Sequence, residues 1–294
     1  MTGPDARTAI ASSGAVAADL LETIVAATRH ITEVRSRTTP VEALERRIKR
    51  TPRGPAFRDA VRSSPAPRVI AECKRRSPSR GILRKDYHPA AHAAAYAGAG
   101  AAAISVLTEP TFFDGSLAHL AAVRAAVTVP LLRKDFIVTE YQLVEAAVAG
   151  ADAVLLIVGA LDDGALRTLL GRADQLGLSA LVEVHDTGEL ARAIDAGAEI
   201  VGVNSRNLRT LTVDRGVLER VVDAVPAAVT AVAESGIRTT DDIGRLSSAG
   251  YSAFLVGERL ITDRDPGEAL RALRTGLEPG TAERRTSTSP VDDR

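Results

Sequence analysis

The fold is decided by the stretch Gly150-Ala151-Asp152-Ala153-Val154, in which a glycine that can end a helix stands directly before an apolar run. Similar stretches begin at Gly100, Gly197 and Gly250, at intervals of 50, 47 and 53 residues. Each glycine can take the left-handed conformation that closes a helix, so that a buried strand follows at once. Each interval has room for two strand-plus-helix units, because one unit takes about 25 residues in a compact α/β barrel.

Eight short apolar runs alternate with Ala-rich helical segments in the same rhythm. They lack polar alternation, which is typical of parallel strands buried on both faces. The runs are Val69–Cys73, Ala102–Leu107, Pro130–Arg133, Ala153–Val158, Ala180–Val184, Ile200–Val203, Val229–Ala233 and Ala253–Val256. They predict an α/β protein with a (β/α)8 TIM barrel. The main alternative is an open doubly wound sheet, which should carry a Gly-rich dinucleotide loop after its first strand, and the sequence has none there.

A helical extension precedes the first run. Asp19 is a candidate N-cap, and apolar residues recur at helical spacing over Leu20–Val34. The stretch Thr39–Glu42 reads as a capping box with proline at the first helical position, which predicts a second helix through Ile48. A third helix is expected around Phe57–Val61.

These segments predict one TIM-barrel domain over residues 19–275, with the helical extension at 19–67 and the barrel at 68–275. Dividing the length by about 150 would give two domains, but α/β barrels reach about 250 residues as one. Small, polar and aperiodic sequence predicts disorder at 1–18 and 276–294.

The composition argues against several classes of function. The chain has 294 residues, 45% of them hydrophobic, and its 37 Lys+Arg balance 37 Asp+Glu. Zero net charge without an extended basic run argues against a nucleic-acid binder. No stretch approaches the roughly 20 apolar residues that span a bilayer, and residues 1–10 lack the order of a signal peptide. A single Cys cannot form an intramolecular disulfide, so we expect a cytoplasmic protein without membrane contact.

Polar residues stand at the predicted C-terminal ends of the strands, where barrels carry their reacting groups. They are Glu72, Lys74, Lys134, Glu183, Asn204, Arg206 and Glu234. Any one could be a solvated strand-end residue, but gathering all of them at an apolar mouth has a desolvation cost that function would explain. The set includes two of the chain's four lysines, the others being Lys49 and Lys85. Lysine can release a proton when desolvated, whereas arginine cannot.

The loops after the seventh and eighth runs predict a phosphate site. They carry Ser235-Gly236 and Gly257, at the place where barrels commonly bind phosphate. Glycine lets backbone N–H groups approach the oxygens closely. We therefore expect a phosphorylated small-molecule substrate.

Six ordered motifs follow the strand ends: Ala71–Ser79, Ile104–Glu109, Leu132–Ile137, Leu181–His185, Gly202–Leu208 and Ala233–Ile237. Together they resemble the indole-3-glycerol-phosphate synthase family. The similarity runs from about Leu20 to Leu273 and includes the helical extension, which the family has before its barrel. The resemblance implies a carbon–carbon lyase of tryptophan biosynthesis, a carboxy-lyase. Such an enzyme cyclises 1-(2-carboxyphenylamino)-1-deoxyribulose 5-phosphate to indole-3-glycerol phosphate with loss of CO₂ and water.

The resemblance also implies roles for the strand-end residues. Lys134 would be the general acid for ring closure, and Glu183 would handle the proton in the later dehydration. Lys74 would lie near the substrate carboxylate and phosphate and could donate a further proton, with Glu72 and Glu234 orienting the lysines. The implied substrate contacts are Asn204, Arg206, Ser77 and Ser235, and the implied phosphate shell is Gly236, Gly257 and Glu258.

Recovery of aromaticity drives the decarboxylation, so we expect neither a cofactor nor a metal. His88 and His92 are four apart on a predicted helix, but no third ligand accompanies them. Phe112 is a candidate wall for the anthranilate ring, as is Phe113, although packing within their loop is the alternative.

Two positions depart from the family pattern. The family often has Gly-Ser where this chain has Gly257-Glu258, and we expect the Glu258 carboxylate to turn outward because it would repel a phosphate. Cys73 stands where an aliphatic residue is usual, and we expect it to pack behind its strand.

Two alternative functions stay open. A phosphoribosylanthranilate isomerase-like barrel would lack the helical extension and carry a Cys/Asp acid–base pair. A non-catalytic barrel acting as a binding subunit should have lost some of Lys74, Lys134, Glu183 and Glu234, and all are present. Association with other tryptophan-pathway enzymes is a further expectation about partners.

Overall fold

The computed structural model describes residues 19–49, 52–63 and 65–275. The disorder expected at 1–18 and 276–294 lies outside these residues. Three helices come first, namely α1 (Leu20–Thr38), α2 (Val41–Glu45) and α3 (Gly54–Ser63). Helix α3 confirms the helix expected around Phe57–Val61.

Helix α1 and its N-cap are confirmed. Asp19 is the N-cap, and its carboxylate accepts the backbone N–H of Glu22 at 3.2 Å. The buried positions are Leu21, Ile24, Thr28 and Thr32, whereas Val34 is 49% exposed. The buried face therefore includes two threonines and does not coincide with the apolar spacing.

Helix α2 is shorter than predicted, and the predicted capping box does not form. Pro40 is the N-cap rather than the first helical residue, and no side chain caps the helix. Thr39 is extended, as a residue before proline tends to be, and its N–H closes α1 by donating to the carbonyl of Arg35 at 2.9 Å. The helix ends at Glu45, three residues before the predicted end.

Strands and helices then alternate along the described chain. They are β1 (Val69–Cys73), β2 (Arg76–Ser77), β3 (Gly81–Ile82), α4 (Pro89–Gly98), β4 (Ala103–Leu107), α5 (Pro110–Phe113), α6 (Leu117–Ala126), β5 (Leu131–Lys134), α7 (Glu140–Ala149), β6 (Ala153–Ile157), a 3₁₀ turn (Val158–Ala160), α8 (Asp163–Gln175), β7 (Ser179–Val184), α9 (Thr187–Asp195), β8 (Ile200–Asn204), α10 (Gly216–Val222), β9 (Thr230–Glu234), α11 (Thr240–Ala249), β10 (Ala253–Val256), α12 (Glu258–Ile261) and α13 (Pro266–Thr275).

Within the described residues, β1 and β4 to β10 form a closed parallel barrel in the order β1-β10-β9-β8-β7-β6-β5-β4. This confirms the (β/α)8 prediction, and each predicted run matches its strand to within one residue at either end. Strands β2 and β3 form a small antiparallel ladder outside the barrel, in the segment after β1. Their two-residue length explains why the sequence pattern did not reveal them.

The alternation of each strand separates two layers. In β1, Val69, Ala71 and Cys73 belong to the core between the barrel and its helices, whereas Ile70 belongs to the barrel interior. Glu72 and Lys74 follow Ile70 by two and four residues, so their side chains share its face and lie closer to the mouth of the barrel. The other strands repeat this order, so that apolar residues fill the bottom of the barrel and polar residues stand above them.

Helix α3 of the extension closes the bottom of the barrel. Phe57 and Val61 of α3 are fully buried and share the interior core with strand-start residues such as Ile70 and Ile200. Because this end is sealed by apolar side chains, the opposite end is the open one.

The four repeat glycines all have positive φ, at 85°, 90°, 93° and 115° for Gly100, Gly150, Gly197 and Gly250. This confirms that each helix before a strand ends in the left-handed conformation predicted from the repeat. In residues 19–49, 52–63 and 65–275, no helix combines the length and the apolar character that a membrane span needs.

Candidate active site

A cavity of about 420 Å³ lies at the C-terminal end of the barrel strands. The sequence-predicted residues that line it are Glu72, Lys74, Ser77, Lys134, Glu183, Asn204, Arg206, Glu234, Ser235, Gly236, Gly257 and Glu258. They come from the ends of six barrel strands and the loops that follow, so the closed barrel brings together residues up to 186 positions apart, from 72 to 258. Phe112 does not line the cavity, whereas its neighbour Phe113 does. Both rings pack against the barrel-interior core, which fits the packing alternative for Phe112.

Lys134 stands at the centre of the polar end of the cavity. Its Nζ donates to Glu183 Oε2 at 2.8 Å and lies 3.3 Å from Glu234 Oε2. The two carboxylate side chains are 0% and 2% exposed, and that of Lys134 is 14% exposed. Asn204 donates its side-chain N–H to the second oxygen of Glu183 at 3.0 Å. Glu183 is therefore held from two sides, while Glu234 keeps one oxygen without a protein partner.

Burial and charge act in opposite directions on these three groups. Burial alone would lower the pKa of Lys134, but the neighbouring carboxylates outweigh it and raise that pKa above its ordinary value. Burial would raise the pKa of Glu183, but Lys134 and His185 outweigh it and hold that pKa low. Burial raises the pKa of Glu234 to about 8, because Lys134 offsets only part of the desolvation. At neutral pH the site therefore holds a charged lysine, an ionised Glu183 and a mostly protonated Glu234.

Replacing Glu234 by Gln should change how stability depends on pH. A raised pKa in the folded state means that folding favours the proton, so this contribution to stability is present at low pH and is lost as the pH rises through about 8. Wild-type protein should lose on the order of 2 kcal/mol of unfolding free energy between about pH 6 and pH 9 relative to Glu234→Gln. Denaturant unfolding across this range measures the difference. The control is Glu219→Gln, on the exposed side of α10. The raised pKa of Glu234 would be contradicted if wild type lost no more unfolding free energy relative to Glu234→Gln than it loses relative to Glu219→Gln.

Lys74 and Glu72 form a second pair at the mouth, with Nζ 2.5 Å from Oε1. Glycines make room for these buried carboxylates. A Cβ on Gly257 would lie 2.3 Å from Glu72 Oε1, and a Cβ on Gly202 would lie 2.0 Å from Glu234 Oε1. Gly257 therefore has a packing reason to be glycine in addition to the predicted phosphate contact.

Asn204 and Arg206 connect the mouth to its covering loops. The backbone N–H of Arg206 donates to Asn204 Oδ1 at 2.9 Å, and its guanidinium donates to the carbonyl of Leu211 at 3.0 Å. The same guanidinium lies 3.4 Å from the Ser79 hydroxyl, across the cavity rim. Arg206 thus bridges the segments after β1 and β8.

The loop after β9 has the geometry expected of an anion site. Ser235 has φ 66°, in the left-handed region that is strained for a residue with a Cβ, and Gly236 follows with φ 73°. Nearby, the buried Ser77 hydroxyl lines the cavity and has no hydrogen-bond partner in the protein. It is therefore available to a ligand.

Sequence reasoning missed three arginines that line the same cavity, Arg215, Arg238 and Arg259. Arg238 and Arg259 follow the predicted phosphate glycines by two positions each, and this proximity was the signal that could have found them. Because arginine is abundant in the chain, these residues did not stand out in the sequence.

Glu258 lies at the rim of the cavity, and its Oε1 lies 3.4 Å from Arg80 and 3.9 Å from Arg238. These guanidinium groups compensate the charge of the carboxylate. That it turns away from a bound phosphate stays a prediction.

Cys73 and the histidine pair lie away from the cavity. Cys73 is fully buried behind β1, as predicted, where burial raises the pKa of its thiol. A Cys/Asp pair of the isomerase type therefore has no cysteine at the mouth among the described residues. His88 pairs with Asp86, and the ring of His92 stacks on Tyr87 at 5.6 Å between centroids.

Comparison with known proteins gives one consistent family. A family model described as indole-3-glycerol phosphate synthase matches residues 21–273. A Parafrankia sp. (strain EAN1pec) protein named indole-3-glycerol phosphate synthase is 52% identical over 262 residues, covering 89% of this chain and 97% of that protein. A Streptomyces coelicolor protein named indole-3-glycerol phosphate synthase 1 is 56% identical over 206 residues, covering 70% of this chain and 77% of that protein.

Among solved structures, a 3-hexulose-6-phosphate synthase superposes with a TM-score of 0.57 over 72% of this chain and 100% of that chain. The two sequences are 16% identical, so this likeness supports the fold and carries no statement about activity.

Proposed function

The chain belongs to the indole-3-glycerol phosphate synthase family, which works in tryptophan biosynthesis, and from this membership we propose a carboxy-lyase reaction carried out in the cavity. The substrate is 1-(2-carboxyphenylamino)-1-deoxyribulose 5-phosphate. The ring carbon that bears the carboxylate attacks the ketone, CO₂ leaves that carbon, and the new hydroxyl leaves as water to give indole-3-glycerol phosphate. The observation that carries the proposal is the contact of the Lys134 ammonium with the buried side chains of Glu183 and Glu234 in the cavity.

Lys134 serves ring closure as the general acid. Attack on the ketone turns its oxygen into an alkoxide, which is far more basic than the carboxylates around Lys134. The proton therefore moves from Nζ to the oxygen once the C–C bond forms. The carboxylates raise the pKa of Lys134, so the ammonium is fully protonated before each turnover.

Glu183 serves the dehydration. Its pKa is held low, so it is an ionised base that can take a proton from the methylene carbon beside the nitrogen as the neighbouring hydroxyl departs, which forms the C=C bond of the indole. The hydrogen bond from Asn204 keeps the carboxylate oriented. Loss of the hydroxyl needs an acid, and Lys134 and Lys74 are the lysines on the cavity wall.

The remaining lining fits the ends of this substrate. Phe113, Phe136 and Leu107 supply an apolar wall of the size that an aromatic ring needs. The Ser235-Gly236 turn and the nearby Arg238 form the electropositive end for the phosphate. Lys74 and Arg206 line the same cavity, and we expect them to meet the substrate carboxylate.

Product fluorescence tests the function directly. The chain contains no Trp, so indole emission from the product rises over a protein without tryptophan background. We expect turnover of the carboxyphenylamino substrate by the purified protein. Well-folded protein that gives no indole signal, or that instead isomerises phosphoribosylanthranilate, would contradict the proposal.

Glu258→Ser should strengthen substrate binding without changing the chemical step. Removing this carboxylate frees Arg80 and Arg238 from their ion pairs and removes a negative charge beside the phosphate. Because these pairs are half-exposed, KM should fall only about two- to fivefold, with kcat unchanged. The matched control is Glu268→Ser on α13, an acidic residue that pairs with Arg271 away from the cavity. A KM that rises in Glu258→Ser would show that Glu258 helps to bind substrate.

The cytoplasmic location and the association with other enzymes of the pathway stay predictions from the sequence. A pull-down of pathway enzymes from cells that produce the chain tests the second.

A further inference from the structure

We propose that Arg133 is a positioning residue for Lys134 and holds the end of β5 through a buried group of charges that reaches helix α1. This group, which we name the Arg133 cluster, consists of Arg133, Asp135, Glu145 and Arg35. The proposal rests on the general-acid role of Lys134. It extends the machinery of the site behind β5, because Asp135 lines the cavity whereas Arg133, Glu145 and Arg35 do not.

Arg133 is among the largest fully buried side chains of the described residues, with 1% exposure. It directly precedes Lys134 on β5, so its side chain points to the opposite face, between the strand and helix α7. A guanidinium cannot lose its charge, and burying it without partners would be very costly. Its position is therefore explained only by the groups that surround it.

Those groups use most of the donors of the guanidinium. Nη2 donates to Asp135 Oδ2 at 2.8 Å, and Nη1 donates to the carbonyl of Gln142 at 2.6 Å. Nε donates to the Thr108 hydroxyl at 3.1 Å, and both terminal nitrogens lie 3.4 Å from Glu145 Oε2. The planar fork thus ties β5 to the end of β4 and to α7.

Side chains behind β5 also hold the backbone that follows Lys134. Asp135 Oδ1 accepts the N–H of Phe136 at 2.8 Å. The Gln142 side chain accepts the N–H of Val138 at 2.9 Å and donates to the carbonyl of Phe136 at 3.0 Å. Lys134 is therefore held on both sides along the chain by residues whose side chains are buried behind the strand.

Arg35 completes the charge balance. Its Nε lies 2.8 Å from Glu145 Oε1, and its Nη2 donates to Oε2 at 3.0 Å. Two guanidinium groups and two carboxylates give the cluster zero net charge. Helix α1 of the extension is thereby connected, through Glu145 and Arg133, to the strand that carries the acid.

A function in positioning follows from where the cluster lies. Lys134 must reach Glu183 and Glu234 at once, and a shift of about 1 Å at a reacting group can cost up to about 100-fold in rate. The other end of β5 has its own buried pair, in which Asp152 accepts the N–H of Leu131 at 3.0 Å and binds Arg124 at 3.1 Å. This pair anchors the same strand at the end away from the cavity. Substitutions in this pair therefore show how strand stability alone affects kcat, without a change at Lys134.

Matched substitutions test the proposal by kinetics. Glu145→Gln and Arg133→Met disturb the cluster, and Asp152→Asn and Arg124→Met disturb the other end of β5. We expect kcat to fall about tenfold in the first two with KM within about threefold, and to stay near wild type in the control pair. Each substitution is then repeated in a Lys134→Arg background, where we expect the cluster substitutions to cost almost no further kcat because the group they position is gone.

A second measurement does not depend on turnover. The chain has only four lysines, so labelling the lysine side chains gives four NMR signals, and the Lys134 signal is the one lost in Lys134→Arg. Arg133→Met and Glu145→Gln should move this signal, whereas Asp152→Asn should leave it in place. If Arg133→Met does not fold, Glu145→Gln, which keeps the shape of the side chain, decides.

Three results would overturn the proposal. They are an unchanged Lys134 signal in both folded cluster variants, an equal loss of kcat in the cluster and control pairs, and additive losses in the Lys134→Arg background. A wild-type protein without turnover refutes the proposed function but not the positioning, because the NMR comparison still decides it.

Discussion

Lys134→Arg should lower kcat about 1000-fold while substrate affinity stays within about threefold of wild type, since general acid catalysis contributes up to about four orders of magnitude. The substitution keeps a positive charge between Glu183 and Glu234, so the cavity keeps its electrostatic balance. A guanidinium cannot release its proton near neutral pH, and the alkoxide formed at ring closure would lose its proton donor.

The chain supplies its own control for this prediction. Lys49 is exposed in the segment after α2, so Lys49→Arg makes the same chemical change away from the cavity. Indole fluorescence gives kcat and KM for both variants. Retention of more than about a tenth of the wild-type kcat by Lys134→Arg would contradict the general-acid role, because such a loss is smaller than acid catalysis usually contributes. A large loss in Lys74→Arg together with near-normal Lys134→Arg would transfer the role to Lys74.

The scarcity of lysine and the strand positions together made this prediction possible from the sequence. Lys74 and Lys134 were named because they stand at strand ends, and the structure places both at the cavity, whereas Lys49 and Lys85 are exposed elsewhere. Composition alone could not separate the two pairs, since it carries no information on position.

The barrel was predictable because each strand is buried on both faces and therefore reads as a continuous apolar run. For the same reason, the sequence does not show which side of each strand faces the interior of the barrel. In Leu131–Lys134, Leu132 packs in the barrel interior and Leu131 packs behind the strand, but the apolar run does not distinguish these two faces. The full charge cluster could not be predicted either, because Arg35 pairs with Glu145 across 110 residues of sequence, through the packing of two helices.

The errors in the extension have a related cause. Hydrophobic periodicity predicts helix α1 but not its buried face, because that face includes Thr28 and Thr32 and leaves Val34 exposed. At the mouth, the orientation of Glu258 depends on Arg80 and Arg238, which come from two other loops. Sequence patterns report local preference, and these positions are decided by contacts between distant segments.

Glu183→Gln should lower the rate of indole formation about 1000-fold, an effect of the size expected when a general base is removed. Gln keeps the shape of the side chain and can still accept from Asn204, so the fold of the site is preserved. It cannot take a proton, and it removes the charge that contributes most to the raised pKa of Lys134. Both proton transfers should therefore suffer, the dehydration most.

Following CO₂ and indole separately in a single turnover distinguishes the two steps, because CO₂ leaves before water does. We expect Glu183→Gln to release CO₂ faster than it forms indole, so that an undehydrated intermediate accumulates, whereas Lys134→Arg should slow both signals together. The control is Glu189→Gln, which disturbs the neighbouring His185 but leaves the contact between Lys134 and Glu183 in place. Equal slowing of CO₂ and indole in Glu183→Gln would mean that Glu183 acts mainly through Lys134. The base for dehydration would then have to be sought in Glu234, the other carboxylate in contact with Lys134.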